Sequence, residues 1–189
     1  MGRMAVYDLY DLLRTLDGPR RMAEVGVLYG NTSARLLGYL PDLSIIMVDP
    51  WREAAKDGPY AASGDVNARR TQEEWDAIYA QALAATERFK DRRRVLRMTS
   101  AEALLQVADG SLGLVFVDGD HSYESVKVDM GWYAKVRPGG ILCGHDYAHR
   151  FSWSGVVRAV DEWVVEKGLV LNRKGQSVWW VRRPMEELP

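Results

Sequence analysis

Short apolar runs separated by amphipathic stretches recur along this chain, and that alternation constrains the fold more than any other feature. The runs lie at 21–27, 44–48, 94–98, 112–117 and 141–143, and each is of strand length. Parallel strands need a crossover long enough to be a helix, so the alternation predicts an α/β domain with a mainly parallel sheet. The run at 112–117 contains no charged or hydroxyl side chain, as expected of a strand covered on both faces. Between the runs, apolar residues return at helical spacing. Val6, Leu9, Tyr10, Leu13 and Leu16 share one face of an N-terminal helical segment (1–18) that Asp17-Gly18-Pro19 closes. Further helices are expected from Asn31 to Leu40, over 72–90, over 101–107, along Tyr123, Val126, Met130 and Tyr133, and along Val156, Val160, Trp163 and Val164. Pro138-Gly139-Gly140 predicts a turn before strand five. Two terminal strands near 169–171 and 177–181 flank a hairpin-like turn at Asn172-Arg173-Lys174-Gly175. Residues 50–70 have no period and read as a long loop, and loops of that length in a compact domain usually serve function.

At 189 residues and 47% hydrophobic content the chain has room for one sizeable core, and a single domain spanning 1–189 is expected. A formal net charge of -1 lacks the basic footprint of non-specific nucleic-acid binding, so no nucleic-acid partner is expected. The basic run from Arg88 to Arg97 falls at a turn leading into strand three, opposite the ligand edge, and reads as a solvated helix C-terminus. The lone Cys143 sits in an apolar run and reads as a buried small hydrophobe in a reducing compartment. No window approaches the roughly 20 apolar residues of a membrane span and no signal-peptide pattern opens the chain, so a cytoplasmic location away from membranes is expected.

Two motifs point to a small ligand. In Glu24-Val25-Gly26-Val27-Leu28-Tyr29-Gly30-Asn31-Thr32-Ser33 a strand ends in a glycine turn and opens a helix, where backbone N–H groups and the helix dipole can meet a ligand. Leu28 replaces the middle glycine of the dinucleotide fingerprint, so a pyrophosphate is poorly accommodated, whereas Glu24 suits an ammonium group. One βα unit later Asp49 ends strand two, where a carboxylate can accept both ribose hydroxyls, and the Trp51 indole can lie against a purine. The plain alternative is a surface strand-end Asp and a core Trp.

These residues resemble class I S-adenosylmethionine (SAM)-dependent methyltransferases over roughly 20–182. The resemblance implies a Rossmann-like three-layer domain with a seven-stranded, mainly parallel sheet and an antiparallel C-terminal strand. It also implies a SAM site built from Glu24, Gly26, Tyr29, Gly30, Thr32, Asp49, Trp51, Ser100, Ala101 and Asp118, with the segment Thr99 to Glu102 near the adenine.

A third motif is more specific. Phe116-Val117-Asp118-Gly119-Asp120-His121 and Gly144-His145-Asp146-Tyr147, with His149 just beyond, hold all three histidines of the chain. Two adjacent strands would thus place Asp118, Asp120, His121, His145 and Asp146 around one rim. Carboxylates with imidazole suit a divalent ion, carboxylate with water favours Mg or Mn, and such an ion would acidify a bound hydroxyl for a nearby base. The alternative for Asp120 and His121 is that they only cap the next helix. This half resembles the branch with macrocin-type sugar O-methyltransferases and cephalosporin-hydroxylase-like proteins. That resemblance implies a metal on Asp118, His145 and Asp146, with His121 as general base beside Asp118. His145 stands where the branch usually has an acid, so the metal differs, the site is weakened, or His145 is itself a base.

The expected activity is SAM-dependent O-methylation of a small-molecule hydroxyl, sugar-like or of a natural product, with loop 50–70 as lid and homo-oligomer formation left open. A metal-independent methyltransferase, a non-catalytic SAM-binding protein and, more weakly, a nicotinamide oxidoreductase are the alternatives. Seven Trp and nine Tyr against three Phe suggest that Tyr29, Trp51, Tyr60, Tyr123, Tyr147 and Trp153 line the rim, while Trp75, Trp163 and Trp179 pack inside.

Overall fold

The computed structural model describes residues 3–62, 65–148 and 155–185. Among them seven strands form one sheet in the order β3-β2-β1-β4-β5-β7-β6. The strands are β1 (Arg21–Val25), β2 (Ser44–Val48), β3 (Arg93–Leu96), β4 (Leu112–Val117), β5 (Val136–Gly144), β6 (Asn172–Lys174) and β7 (Val178–Arg182). The first five pair in parallel, and β7 joins β5 and β6 antiparallel. Helices α1 (Arg3–Arg14), α2 (Asn31–Tyr39) and α4 (Gln72–Thr86) cover one face of the sheet, and α5 (Ser100–Leu104), α6 (Tyr123–Asp129) and α7 (Val156–Glu166) the other; α3 (Pro59–Ala62) lies in the segment after β2. Alternate strand residues feed the two cores: Leu114 and Phe116 pack with the first helix layer, Val115 and Val117 with the second. Every residue of β4 is buried, the consequence of its central place. Trp75, Trp163, Trp179 and Cys143 are buried, as their positions in the apolar runs predict.

The structure moves several boundaries. Pro138-Gly139-Gly140 is part of β5 rather than a turn; a register shift between Leu112 and Leu114 and a left-handed Gly139 (φ 74°) absorb the irregularity inside the strand. The last hairpin turns at Gly175-Gln176-Ser177, so the polar Asn172–Lys174 forms β6 and the apolar 169–171 does not. Residues 50–70 hold α3 and a 3-10 turn at Val66–Arg69, which Asp65 caps by accepting the Asn67 N–H (2.8 Å). The basic run is exposed at Arg88, Lys90, Arg94 and Arg97, as expected, but Arg92 and Arg93 are half-buried. Arg92 donates to the carbonyls of Leu37 (2.9 Å), Leu40 (3.0 Å) and Leu43 (3.0 Å), so it caps α2 instead of its own helix. Arg97 lies past the end of β3, on the ligand edge, and donates to the Trp51 carbonyl (3.0 Å) and to Asp76.

Candidate active site

The glycine turn joins β1 to α2 and touches the end of β4. Gly26 has φ 87°, and a Cβ there would stand 2.2 Å from the Asp118 carbonyl oxygen, so only glycine fits. Asp49 organises the turn from the end of β2. Its Oδ2 accepts the Val27 and Leu28 N–H groups (3.0 Å each) and its Oδ1 the Trp51 N–H (2.8 Å). These bonds hold Leu28 at φ 52° and Trp51 at φ 39°, left-handed backbone that a bulky side chain rarely adopts. Four of the turn's amides are therefore already engaged: Gly26 donates to Val48 (2.9 Å), Gly30 to Val27 (3.0 Å), and Val27 and Leu28 to Asp49. What the turn offers is the start of α2, where Gly30 supplies no side-chain cap. A carboxylate has about four acceptor sites, so Asp49 keeps capacity on Oδ1.

Glu24 lies behind the turn, 1% exposed, and takes hydrogen bonds from the Ser33 and Thr32 hydroxyls. Burial, with the Asp118 and Asp49 charges nearby, pushes its carboxyl up to about 8. A cationic group beside it would reverse that shift, which fits the ammonium end of SAM.

One expected cofactor contact is corrected, and another is left without its hydroxyl. The Trp51 indole is fully buried, packs against Tyr79 with ring centres 4.9 Å apart and planes tilted by 52°, and donates to the Leu28 carbonyl (2.8 Å), so it cannot lie on a purine. The Ser100 hydroxyl turns inward, donating to Asp129 and accepting the Trp132 indole N–H (2.8 Å). At that wall the exposed Ala101 remains. Next to it a cleft of about 330 Å³ opens between the segments after β2 and β3, lined by Pro50, Arg52, Arg97, Met98 and Glu102 among others. Tyr29 is half-buried, and its hydroxyl accepts from Arg70 of the 50–70 segment (3.3 Å).

The rim arises from sheet register. Val117 pairs with Gly144, so the next residues of each strand, Asp118 and His145, emerge side by side, and the His145 N–H bonds the Val117 carbonyl (3.0 Å). Asp146 follows at φ 55°. His145 Nδ1 lies 3.1 Å from Asp146 Oδ1 and 3.7 Å from Asp118 Oδ1. His121 Nε2 lies 2.8 Å from Asp146 Oδ2 and 3.9 Å from Asp118 Oδ1. Asp120 and His121 part company. Asp120 takes the Ser122 N–H (2.8 Å) and the Ser125 hydroxyl (2.6 Å) at the start of α6, whereas His121 faces the rim. One oxygen or nitrogen each from Asp118, His145 and Asp146 fall within 4.8 Å of one another, a donor set that fits a divalent ion.

Burial would lower the His121 pKa, but Asp118, Asp146 and Asp65 outweigh it and raise it to about 11. His145 is raised against burial by Asp146 and Asp118. Against the upward pull of burial, hydrogen bonds from both imidazoles hold Asp146 well below the usual carboxylate range. His121 thus lies within 3.9 Å of three carboxylates, which favour its protonated form as long as they are unshared.

Three site residues escape the sequence reading. Asp65, in the segment after α3, reaches within 3.6 Å of His121 Nδ1. Ser177, in the last hairpin turn, bonds His145 Nε2 (2.9 Å). Asp129 is buried beneath Ser100, and burial raises its carboxyl to about 7. Only Asp129 left a trace, an acid on the apolar stripe of α6. His149 and Trp153 lie outside the described residues.

Residues 23–147 match a family model described as a methyltransferase domain. The chain is 33% identical over 144 residues, 73% of its length, to an uncharacterized protein of Sinorhizobium fredii, and spans 14% of that relative's length. Among solved structures, an O-methyltransferase from Bacillus cereus in complex with SAH superposes with TM-score 0.66 at 16% identity, covering 97% of this chain and 82% of that one. CalS11, a calicheamicin methyltransferase, does so with TM-score 0.65 at 18% identity, covering 94% and 78%. At these identities the likeness is one of fold. The family model spans well over half of the chain and includes the glycine turn, Asp49, Asp118, His145 and Asp146; the chain belongs to the SAM-dependent methyltransferase-domain family.

Proposed function

We propose that this domain transfers the methyl group of SAM to a hydroxyl of a small-molecule acceptor, sugar-like or of a natural product, with a divalent ion on Asp118, His145 and Asp146. The observation that carries the reading is the double role of Asp118: its carbonyl abuts Gly26 of the cofactor turn while its carboxylate belongs to the rim. Methyl donor and acceptor would therefore share a wall. The glycine turn, Glu24 and Asp49 would hold the amino acid and ribose parts of SAM, with Ala101 near the adenine.

Methyl transfer is an in-line displacement, so the protein has mainly to align the acceptor oxygen and remove its proton. A divalent ion on these residues would supply positive charge among the carboxylates and would acidify an acceptor hydroxyl. His121, with Asp118 and Asp146 engaged by the ion, would lose two of the groups that raise its pKa, leaving Asp65 against the lowering effect of burial and bringing it closer to that of a working base. Asp65 would orient the imidazole from the far side, and because it belongs to the 50–70 segment, closure of that lid would complete the site. Calorimetric titration with SAM, with and without Mg and Mn, tests the donor half, and SAH release over a panel of hydroxylated acceptors tests the transfer. Absence of SAM binding would sink the reading.

One observation favours a metal-independent variant. His121 already places an imidazole among three carboxylates, 2.8 Å from Asp146, 3.6 Å from Asp65 and 3.9 Å from Asp118, where a protonated ring would stand in for an ion. Turnover insensitive to chelator would select it.

A further inference from the structure

We infer that Ser177 is a positioning residue that commits His145 Nδ1 to the ion site, and that the resulting donor set selects a transition-metal ion over Mg; this rests on the metal-assisted reading above. The imidazole spans two environments. Nδ1 faces Asp146 and Asp118 at 3.1 and 3.7 Å, while Nε2 meets the Ser177 hydroxyl at 2.9 Å. Ser177 is buried, and its carbonyl also accepts the Tyr147 N–H (3.0 Å), so one turn residue holds both ends of His145-Asp146-Tyr147.

That turn is itself well placed. Lys174 pairs with Val178 across the hairpin, and Trp179 pairs with Gly144, the residue before His145. A Cβ on Gly144 would stand 2.6 Å from the Trp179 indole nitrogen, so the glycine lets β7 pack close behind the site. The hairpin thus delivers Ser177 to His145 from a different strand pair than the one that delivers Asp118.

A hydroxyl both donates and accepts. When the Nδ1 lone pair binds an ion, the proton resides on Nε2, and Ser177 Oγ can accept it. Alanine there would leave a half-buried N–H without that acceptor. Two carboxylate oxygens and an imidazole nitrogen suit Mn, Co or Zn, whereas Mg prefers oxygen and water in octahedral geometry. An outer hydrogen bond of this kind is typically worth about 10–100-fold in metal affinity.

The test is titration of the full chain with Mn, Co or Mg alone, by calorimetry, with the visible absorption of bound Co as a signature of the ligand set. Wild type should bind Co at least about tenfold more tightly than Mg. Ser177→Ala should weaken Co about 10–100-fold, move Mg far less and alter the Co spectrum, and Ser177→Thr should restore both. His145→Asp should collapse the Co-to-Mg preference. Equal affinity of wild type for Co and Mg, or a preference that survives His145→Asp, overturns the selectivity. An unaltered spectrum and ratio in Ser177→Ala overturn the role of Ser177; should that variant not fold, loss of the signature in a folded Ser177→Thr overturns it as well. Failure of wild type to bind any of the three ions overturns instead the metal-assisted reading on which the inference stands.

Discussion

The two halves of the site solve the problem of buried polar groups in opposite ways. Around the glycine turn, Asp49 spends its charge on three backbone N–H groups and Glu24 is pushed toward neutrality, so the cradle is satisfied from within. Around the rim, Asp118 and Asp146 are balanced by His121 and His145, which arrive from other positions in the chain. The cradle is held by hydrogen bonds that need no ligand charge. The rim is held by ion pairs that a bound cation could replace. The difference teaches where each half should be sensitive: the first to shape, the second to charge.

The largest effect is expected at the rim. His121→Ala should lower turnover about 10²–10⁴-fold, the usual worth of a general base, with SAM affinity nearly unchanged, as read by SAH release and calorimetry. Equal losses in SAM binding would erase the distinction between the halves. In the cradle, Gly26→Ala should cost on the order of 3–4 kcal/mol of stability, because the added Cβ meets the Asp118 carbonyl at a φ that alanine resists. Denaturant unfolding measures it, and a normal midpoint would show that the turn can open.

A pH titration separates the halves next. Glu24 ionises near its ordinary 4.5 when unfolded and at about 8 when folded, so the folded state holds the extra proton. The domain should therefore lose stability as pH rises from 4.5 toward 8, by an amount on the order of a few kcal/mol. Glu24→Gln should flatten that slope, and an unchanged slope would assign it elsewhere, with Asp129 the next buried acid to test. The smallest effect belongs to neither half. Arg92→Ala removes three carbonyl contacts at the end of α2 and should cost about 1–3 kcal/mol while leaving ligand binding intact.

The legible features have local causes. Strand length, helical spacing and the glycine turn are written in neighbouring residues, and a parallel register turns the two short motifs ending at Asp118 and Asp146 into one rim. The errors also have a common cause. Trp51 looked like a ligand platform, but nothing local reveals that Tyr79 and the Leu28 carbonyl claim its indole. The run Arg88 to Arg97 carried the right chemistry, a helix C-terminus, but Arg92 caps the helix beside it in space. The apolar 169–171 looked like a strand, yet the hairpin formed three residues later, where β7 could stay paired with β5.

The sequence by itself determined the α/β alternation, the glycine turn after the first strand and the residue types that can meet an ion or a proton, because these follow from backbone sterics, periodicity and side-chain chemistry. Tertiary structure alone decided that Asp65 reaches His121, that Ser177 holds His145 and that Asp49 turns to the backbone. Those partners lie on separate elements, and only the assembled sheet, the 50–70 segment and the hairpin bring them within hydrogen-bond or ion-pair distance.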